Sequence, residues 1–298
     1  MPVQTIISKL TTSSVRDVLY AMERVQLDIP PSRVADALRG ALDAAHAVTR
    51  PAFLDVENVP TQGPFVLVGN HQLLGMQDLP TLVRELEVRR GVRVRGMADH
   101  FHFQLPLWRD LLARLGAVPG TRENCAALLA AGEPVLVFPG GAREVYKRRG
   151  QRYELLWGKR TGFARMAIEA GCPIVPFGAV GAEDRVDVVL DMDDTLAAPL
   201  RAVARRVGRT DVGTVLIKGS ALGLLPGAGR LYFRFGAPIP TSPWNGRAGD
   251  PDALAECRDV VKAEVEAQIA YLRALRASDP QRALLPRVGR AVRTALPL

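Results

Sequence analysis

"FVLVGNHQLLGMQD", residues 65–78, decides how this chain is read. Four apolar residues run without a polar break, and Gly69, Asn70 and His71 follow at once. A short continuous apolar run bounded by turn residues is the pattern of a strand buried on both faces. Open α/β sheets carry their sites at the carboxyl ends of such strands. His71 therefore stands where chemistry is expected, and Asp78 comes seven positions later.

The same kind of run recurs along the chain. Strands are predicted at Phe65–Val68, Val92–Met97, Val135–Phe138, Ile174–Val180, Thr214–Ile217 and Leu231–Phe235. Between them lie segments of helical periodicity: "DLPTLVRELEVRR", "PLWRDLLARLG", "NCAALLAAG" and "KRTGFARMAIEAG". Gly132 and Gly171 fall where the last two helices should stop. The alternation predicts an α/β fold, with a mostly parallel central sheet flanked by helices.

Three parts are expected. Residues 1–50 read as an N-terminal helical cap, in which Val15, Val18, Leu19, Met22 and Val25 share one face. Residues 51–245 read as the α/β domain. Residues 246–298 read as a long amphipathic helix and a short basic tail.

Composition bounds the partners. The 298 residues are 48% hydrophobic and 23% charged, as in a soluble protein with a substantial core. The net charge of +8 implies attraction to something anionic. Only 6% of residues are aromatic and none sit in a basic stacking segment, so no nucleic acid is expected. Cys125, Cys172 and Cys257 lie far apart without metal-ligand spacing, and read as packing residues in a reducing compartment. The N-terminus lacks the features of a signal peptide. No run of about eighteen apolar residues occurs, so any membrane is met from its surface.

Four stretches look chemical. In the first, His71 can take a proton from a hydroxyl near neutral pH, and a carboxylate on its other nitrogen would orient the ring. Seven helical residues span about 10 Å along the axis, so a direct bond to Asp78 needs a turn, which Gly75 permits. The alternative is a solvent-facing His71 and an Asp78 that caps the helix "LPTLVREL". In the second, "VLVFPGGAREVYKRRG", Gly140 and Gly141 allow close backbone approach. Arg143 offers a fork for phosphate or carboxylate, and Lys147, Arg148 and Arg149 enlarge the positive field. The alternative is a tight turn and a solvated basic helix. In the third, "GAVPGTREN", Arg122 either meets substrate or lies on the surface of a helix capped by Thr121. In the fourth, "IVPFGAV", Pro176 should bend the strand or cost it a pairing.

Taken in order, these blocks resemble the glycerolipid acyltransferase superfamily, typified by lysophosphatidate acyltransferase. That family carries a His-x4-Asp block, a Gly…Arg block, Phe-Pro-Glu-Gly-Thr-Arg and a proline-containing strand. Here they read "NHQLLGMQD", "GAVPGTREN", "FPGGAREV" and "IVPFGAV", spanning residues 51–240. The likeness is closer to the diacylglycerol acyltransferase-like subgroup that includes plant phytyl ester synthases. It rests on "GNHQLLG", "FPGGAREVYKRRGQRYELLW" with Trp157, and "GFARMAIEAGCPIVPFGAVG". Three departures stand out: Gly140 replaces the main family's glutamate, Ala142 its threonine, and six residues rather than four separate His71 from Asp78, with Gln77 a rival for the carboxylate's place.

The resemblance implies an O-acyltransferase that uses acyl-CoA or an acyl carrier protein as donor, with no metal or other cofactor. His71 and Asp78 would be catalytic. Arg122, Gly140, Gly141, Arg143 and Glu144 would bind substrate, with backbone N–H groups at Gly140–Gly141 facing the oxyanion. The lost glutamate at position 140 points to a neutral acceptor such as diacylglycerol or a long-chain alcohol, against a lysophospholipid. A lipid acceptor and the basic surplus imply a cytoplasmic protein held peripherally at an anionic membrane, through amphipathic stretches near either terminus. The rivals are an esterase, a thioesterase and a non-catalytic lipid-binding module. No G-x-S-x-G elbow is present, since Ser220 has the wrong surroundings.

Overall fold

The computed structural model describes residues 49–72, 78–104, 106–206, 214–219 and 229–283, with scattered positions between 37 and 47. The predicted helix over 13–28 and the basic tail lie outside the described residues, while the positions described between 37 and 49 are helical.

The strands are β1 (Ala52–Leu54), β2 (Val66–Gly69), β3 (Arg95–Ala98), β4 (Val118–Pro119), β5 (Val135–Val137), β6 (Ile174–Val180), β7 (Val186–Asp191), β8 (Thr214–Gly219) and β9 (Tyr232–Phe235). The helices are α1 (Asp78–Arg90), α2 (His100–Phe103), α3 (Pro106–Arg114), α4 (Arg122–Ala130), α5 (Ala142–Val145), α6 (Gly162–Ala170), α7 (Ala198–Arg206) and α8 (Pro251–Ser278). Seven strands make one sheet in the order β1-β9-β6-β2-β5-β3-β4. Every pairing is parallel except that of β6 with β9. The predicted α/β fold with a mostly parallel sheet is the one observed.

β2 lies at the centre and is buried at every position. Its residues alternate between two cores, as the period of a strand requires. Val66 and Val68 face the cluster of Leu128, Trp157, Phe163, Val261 and Val265. Phe65 and Leu67 face the cluster of Leu82, Leu86, Phe177 and Phe233. Each such side chain contributes about 1.5–3 kcal/mol on burial, which is why the run at 65–68 is continuous rather than alternating. After β2 the chain moves to β3 on one side, and after β5 it crosses to β6 on the other. The carboxyl end of β2 is therefore a switch point, where open sheets form a crevice.

α8 begins with Asp250 capping the backbone N–H of Asp252 and with Pro251 in its first turn. It buries Leu254, Cys257, Val261, Val265 and Ile269 in the core. Gly178 permits this approach, since a Cβ there would lie 2.8 Å from the Gln268 side chain. The apolar face of α8 is thus spent on the sheet and is not available to a bilayer. No helix among the described residues is long and apolar enough to cross a membrane.

Pro176 behaves differently on its two sides. Pairing with β2 runs through it, Val68 opposite Pro176, while the ladder with β9 begins only at Phe177. The strand predicted at Thr214–Ile217 pairs with β7 in a separate two-stranded ribbon rather than with the main sheet. The cysteines are free and buried, and burial pushes the Cys125 and Cys172 thiols up to about 11 and that of Cys257 to about 12.

Candidate active site

Three neighbouring strands, β5, β2 and β6, deliver their carboxyl ends to one place. Beyond β2 the backbone ladder stops at Gly69 opposite Phe177, and two side-chain amides continue it. Asn70 donates to the Ala179 carbonyl at 2.9 Å and accepts from its N–H at 2.8 Å. Gln72 accepts from the Ala182 N–H at 2.8 Å. His71 sits between these two stitches, on a chain segment held as firmly as a strand.

β5 supplies the second wall. Phe138 stacks on the His71 ring at a centroid distance of 4.1 Å. The turn then passes through Pro139, Gly140 and Gly141, the last at φ +52. Glu144 follows on α5 and is fully buried. Its carboxylate accepts the His71 peptide N–H at 2.7 Å and the Leu156 N–H at 2.9 Å. A Cβ at position 140 would lie 2.1 Å from the Glu144 carboxyl carbon. Glycine at 140 is therefore what gives the Glu144 side chain its space, and a glutamate at 140 could not coexist with it.

β6 supplies the third wall. Lys147 and Glu183 form a buried ion pair at 2.7 Å. Glu183 also accepts the Tyr153 N–H at 2.6 Å, and the Tyr153 hydroxyl donates to Asp184 at 2.6 Å.

The electrostatics follow from burial. His71 is pushed down to about 3, first by loss of solvent and then by the charges of Lys147 and His102. Asp78 is pushed up to about 6 by burial, against the pull of the N–H groups of Gln72, Leu79 and its own residue. Glu144 is raised to about 7 by burial, opposed by Lys147 and its two peptide donors. At neutral pH the imidazole is neutral, and its Nδ1 is buried without a hydrogen-bond partner.

Asp78 reaches the site without bonding the ring. It opens α1, and its Oδ2 accepts the Gln72 N–H at 3.3 Å. Its Oδ1, like Nδ1 of His71, is buried and unpartnered. Of the two alternatives, the terminal place on the helix holds for Asp78. The solvent-facing loop does not hold for His71, which is part-buried and stacked.

The other expected residues fall in different surroundings. Arg122 is exposed, pairs with Glu169 at 3.6 Å, and starts a helix capped by Thr121. It belongs to the end of β4, three strands from β2. Glu144 is an internal strut, buried and occupied by the His71 and Leu156 N–H groups. The Gly141 N–H is spent on the Phe138 carbonyl at 3.0 Å and does not face an oxyanion. The field expected from Lys147, Arg148 and Arg149 is largely neutralised. Lys147 is buried against Glu183, Arg148 pairs with Asp193, and Arg149 holds Asp194 at 3.0 Å and the Val189 carbonyl at 2.8 Å. Arg143 remains exposed, its Nη1 3.3 Å from where a Cβ at Gly158 would lie. Arg160 donates to the carbonyls of Pro139 and Gly140.

Asn70, Gln72, Glu183 and Arg160 escaped the sequence reading, and the burial of Lys147 did too. The first two had a signal: amide side chains on both sides of a histidine, directly after a buried strand. No group of side chains suited to a metal ion occurs among the described residues.

Residues 50–180 match a protein-family model described as Acyltransferase. The chain is 34% identical over 250 residues to phytyl ester synthase 2, chloroplastic, of Arabidopsis thaliana, covering 78% of this chain and 36% of that protein. It is 34% identical over 121 residues to the Bos taurus "DGAT1/2-independent enzyme synthesizing storage lipids", covering 41% of this chain and 36% of that protein. The chain thus spans little more than a third of the length of these relatives. Among solved structures, the 1-acyl-sn-glycerophosphate acyltransferase PlsC of Thermotoga maritima aligns over 89% of this chain and 92% of its own, with TM-score 0.44 and 16% identity.

Two substitutions test this geometry. Gly140→Ala places a methyl group on the Glu144 carboxyl, and is expected to cost about 1–3 kcal/mol, read as a lower urea midpoint with unchanged slope. A midpoint equal to wild type would show that Glu144 is not held there. Asp78→Asn separates stability from activity. A carboxyl raised to about 6 adds stability that is fully present below the unfolded value of 3.8 and is lost as pH rises through about 6. The amide carries no such charge, so at pH 8 the variant should be at least as stable as wild type while its turnover falls about a hundredfold or more. Lost stability with retained turnover would contradict a catalytic Asp78.

Proposed function

We propose that this chain, whose residues 50–180 match the Acyltransferase family model, belongs to the glycerolipid acyltransferase superfamily and is an O-acyltransferase moving a fatty acyl group from a thioester to a lipid hydroxyl. The observation that carries the reading is His71, a neutral histidine with a buried, unpartnered ring nitrogen at the switch point of the sheet.

In this reading His71 takes the proton of the acceptor hydroxyl as its oxygen attacks the thioester carbonyl. The tetrahedral centre then collapses, the carbon–sulfur bond breaks, and the thiolate leaves with the proton that the imidazolium returns. No acyl-enzyme forms, and neither metal nor redox cofactor is needed. A ring as resistant to protonation as this one needs an anion beside it when it charges. Asp78 supplies it. In this reading Nδ1–H donates to Asp78 Oδ1 during turnover, which would satisfy both orphaned atoms at once and raise the basicity of the ring. Arg143 holds a phosphate of the donor, acyl-CoA or an acyl carrier protein.

We propose a neutral acceptor, a long-chain alcohol or diacylglycerol. The likeness to a phytyl ester synthase supports it, and so does Glu144: the one acid on the Pro-Gly-Gly turn is already occupied by two peptide N–H groups. A second reading, a lysophospholipid acceptor, is favoured by the exposed guanidinium of Arg143.

The test is a radiolabelled acyl thioester assay with diacylglycerol, a long-chain alcohol, lysophosphatidate and water as acceptors. An ester of a neutral alcohol is expected. His71→Ala should leave less than about a hundredth of the wild-type rate, and more than about a tenth would contradict the general-base role. Free fatty acid alone would make the protein a thioesterase.

A further inference from the structure

Between β6 and β9 the chain leaves the main sheet and builds the β7–β8 ribbon with α7 on it. No residue of α7 is buried. Leu196, in the short turn of helix that leads into α7, is 82% exposed, Leu200 is 48% and Val203 is 61%. With the exposed Pro199 they occupy positions i, i+3, i+4 and i+7, which is one face of a helix. Three of the exposed large apolar side chains of the described residues thus stand together, whereas Val88, Leu115, Val189, Val260 and Tyr271 are scattered over other elements.

The unmatched charges around this face are positive. α7 carries Arg201, Arg205 and Arg206 and no acidic residue. Arg201 bonds the Met192 carbonyl, which neutralises nothing. The nearby acids are already matched: Asp193 by Arg148, Asp194 by Arg149 and Asp187 by Arg152. An apolar helix face rimmed by arginine, with its own acids taken, is complementary to a surface that is apolar inside and anionic outside.

The ribbon is also tied to the site. It springs from the carboxyl end of β6, where Gln72 holds the Ala182 N–H and Lys147 holds Glu183. That is the end of the sheet that carries His71.

We propose that the face made by Leu196, Pro199, Leu200 and Val203 is the protein's docking surface for an anionic lipid bilayer. The apolar side chains enter the headgroup boundary and the arginines meet lipid phosphates. Docking there brings the carboxyl end of the sheet to the surface where a lipid acceptor resides. This last consequence rests on the acyltransferase reading, while the docking itself does not.

The test is co-sedimentation with vesicles of mixed phosphatidylglycerol and phosphatidylcholine at low salt. Wild type is expected to bind them, and to bind phosphatidylcholine alone far less. Leu196→Ser, Leu200→Ser and Val203→Ser together replace exposed side chains, so the fold should stand, and vesicle partitioning should fall at least about tenfold. A separate Leu200→Trp variant should shift its emission to the blue on the anionic vesicles. Partitioning within about twofold of wild type in the triple variant, or an unshifted tryptophan, would overturn the proposal. So would a wild-type dimer that the triple variant dissolves without any vesicle binding, which would assign the face to a second copy. Wild type that docks through this face but transfers no acyl group would sink the catalytic reading and leave the docking surface standing.

Discussion

The buried carboxylate of Glu144 joins the parts of the site. One oxygen takes the peptide N–H of His71 and the other takes that of Leu156. Three chain segments are thereby locked together: the end of β2, the turn after β5, and the loop that carries Trp157. Neither N–H has another partner in this arrangement, and a buried donor left unpaired costs about 1–3 kcal/mol. The clamp requires an empty position at 140, which only glycine provides. The departure from the main family's glutamate is then a relocation: an acid remains on this turn, delivered from one helical turn downstream and facing inward.

Burial sets the chemistry of this place. It drives His71 towards its neutral form and raises both Asp78 and Glu144. The Lys147–Glu183 pair is buried beside it, and the Lys147 charge adds to the forces keeping the imidazole unprotonated. Such a site stores its demand for a partner. Nδ1 of His71 and Oδ1 of Asp78 are each left unsatisfied, which is costly in a resting protein and useful in one that must accept a proton during turnover.

Much of this was legible because the signals were local. The continuous apolar runs at 66–69, 135–137 and 174–180 are strands, and "DLPTLVRELEVRR" is α1 from its first residue to its last. His71 could be placed at a strand end before any coordinates. What escaped depends on partners far along the chain. Lys147, Arg148 and Arg149 read as one solvated charge run, yet Lys147 is buried, because Glu183 lies thirty-six positions away to receive it. Glu144 read as a substrate contact, because nothing in "GGAREV" reveals that it turns back under Gly140. Arg122 fitted a motif, but its strand stands at the edge of the sheet. β1 and β4 are too short, at three and two residues, to leave a pattern.

The central claim is that burial in the fold holds the His71 ring neutral. An NMR titration of its ring nitrogens in the 298-residue chain tests this directly. The account predicts that the ring stays neutral well below the ordinary histidine value of about 6.5, with protonation only near pH 3 or on unfolding. A ring that titrates between pH 6 and 7 in the folded protein would contradict it, and would make His71 an ordinary solvated histidine at the end of a strand.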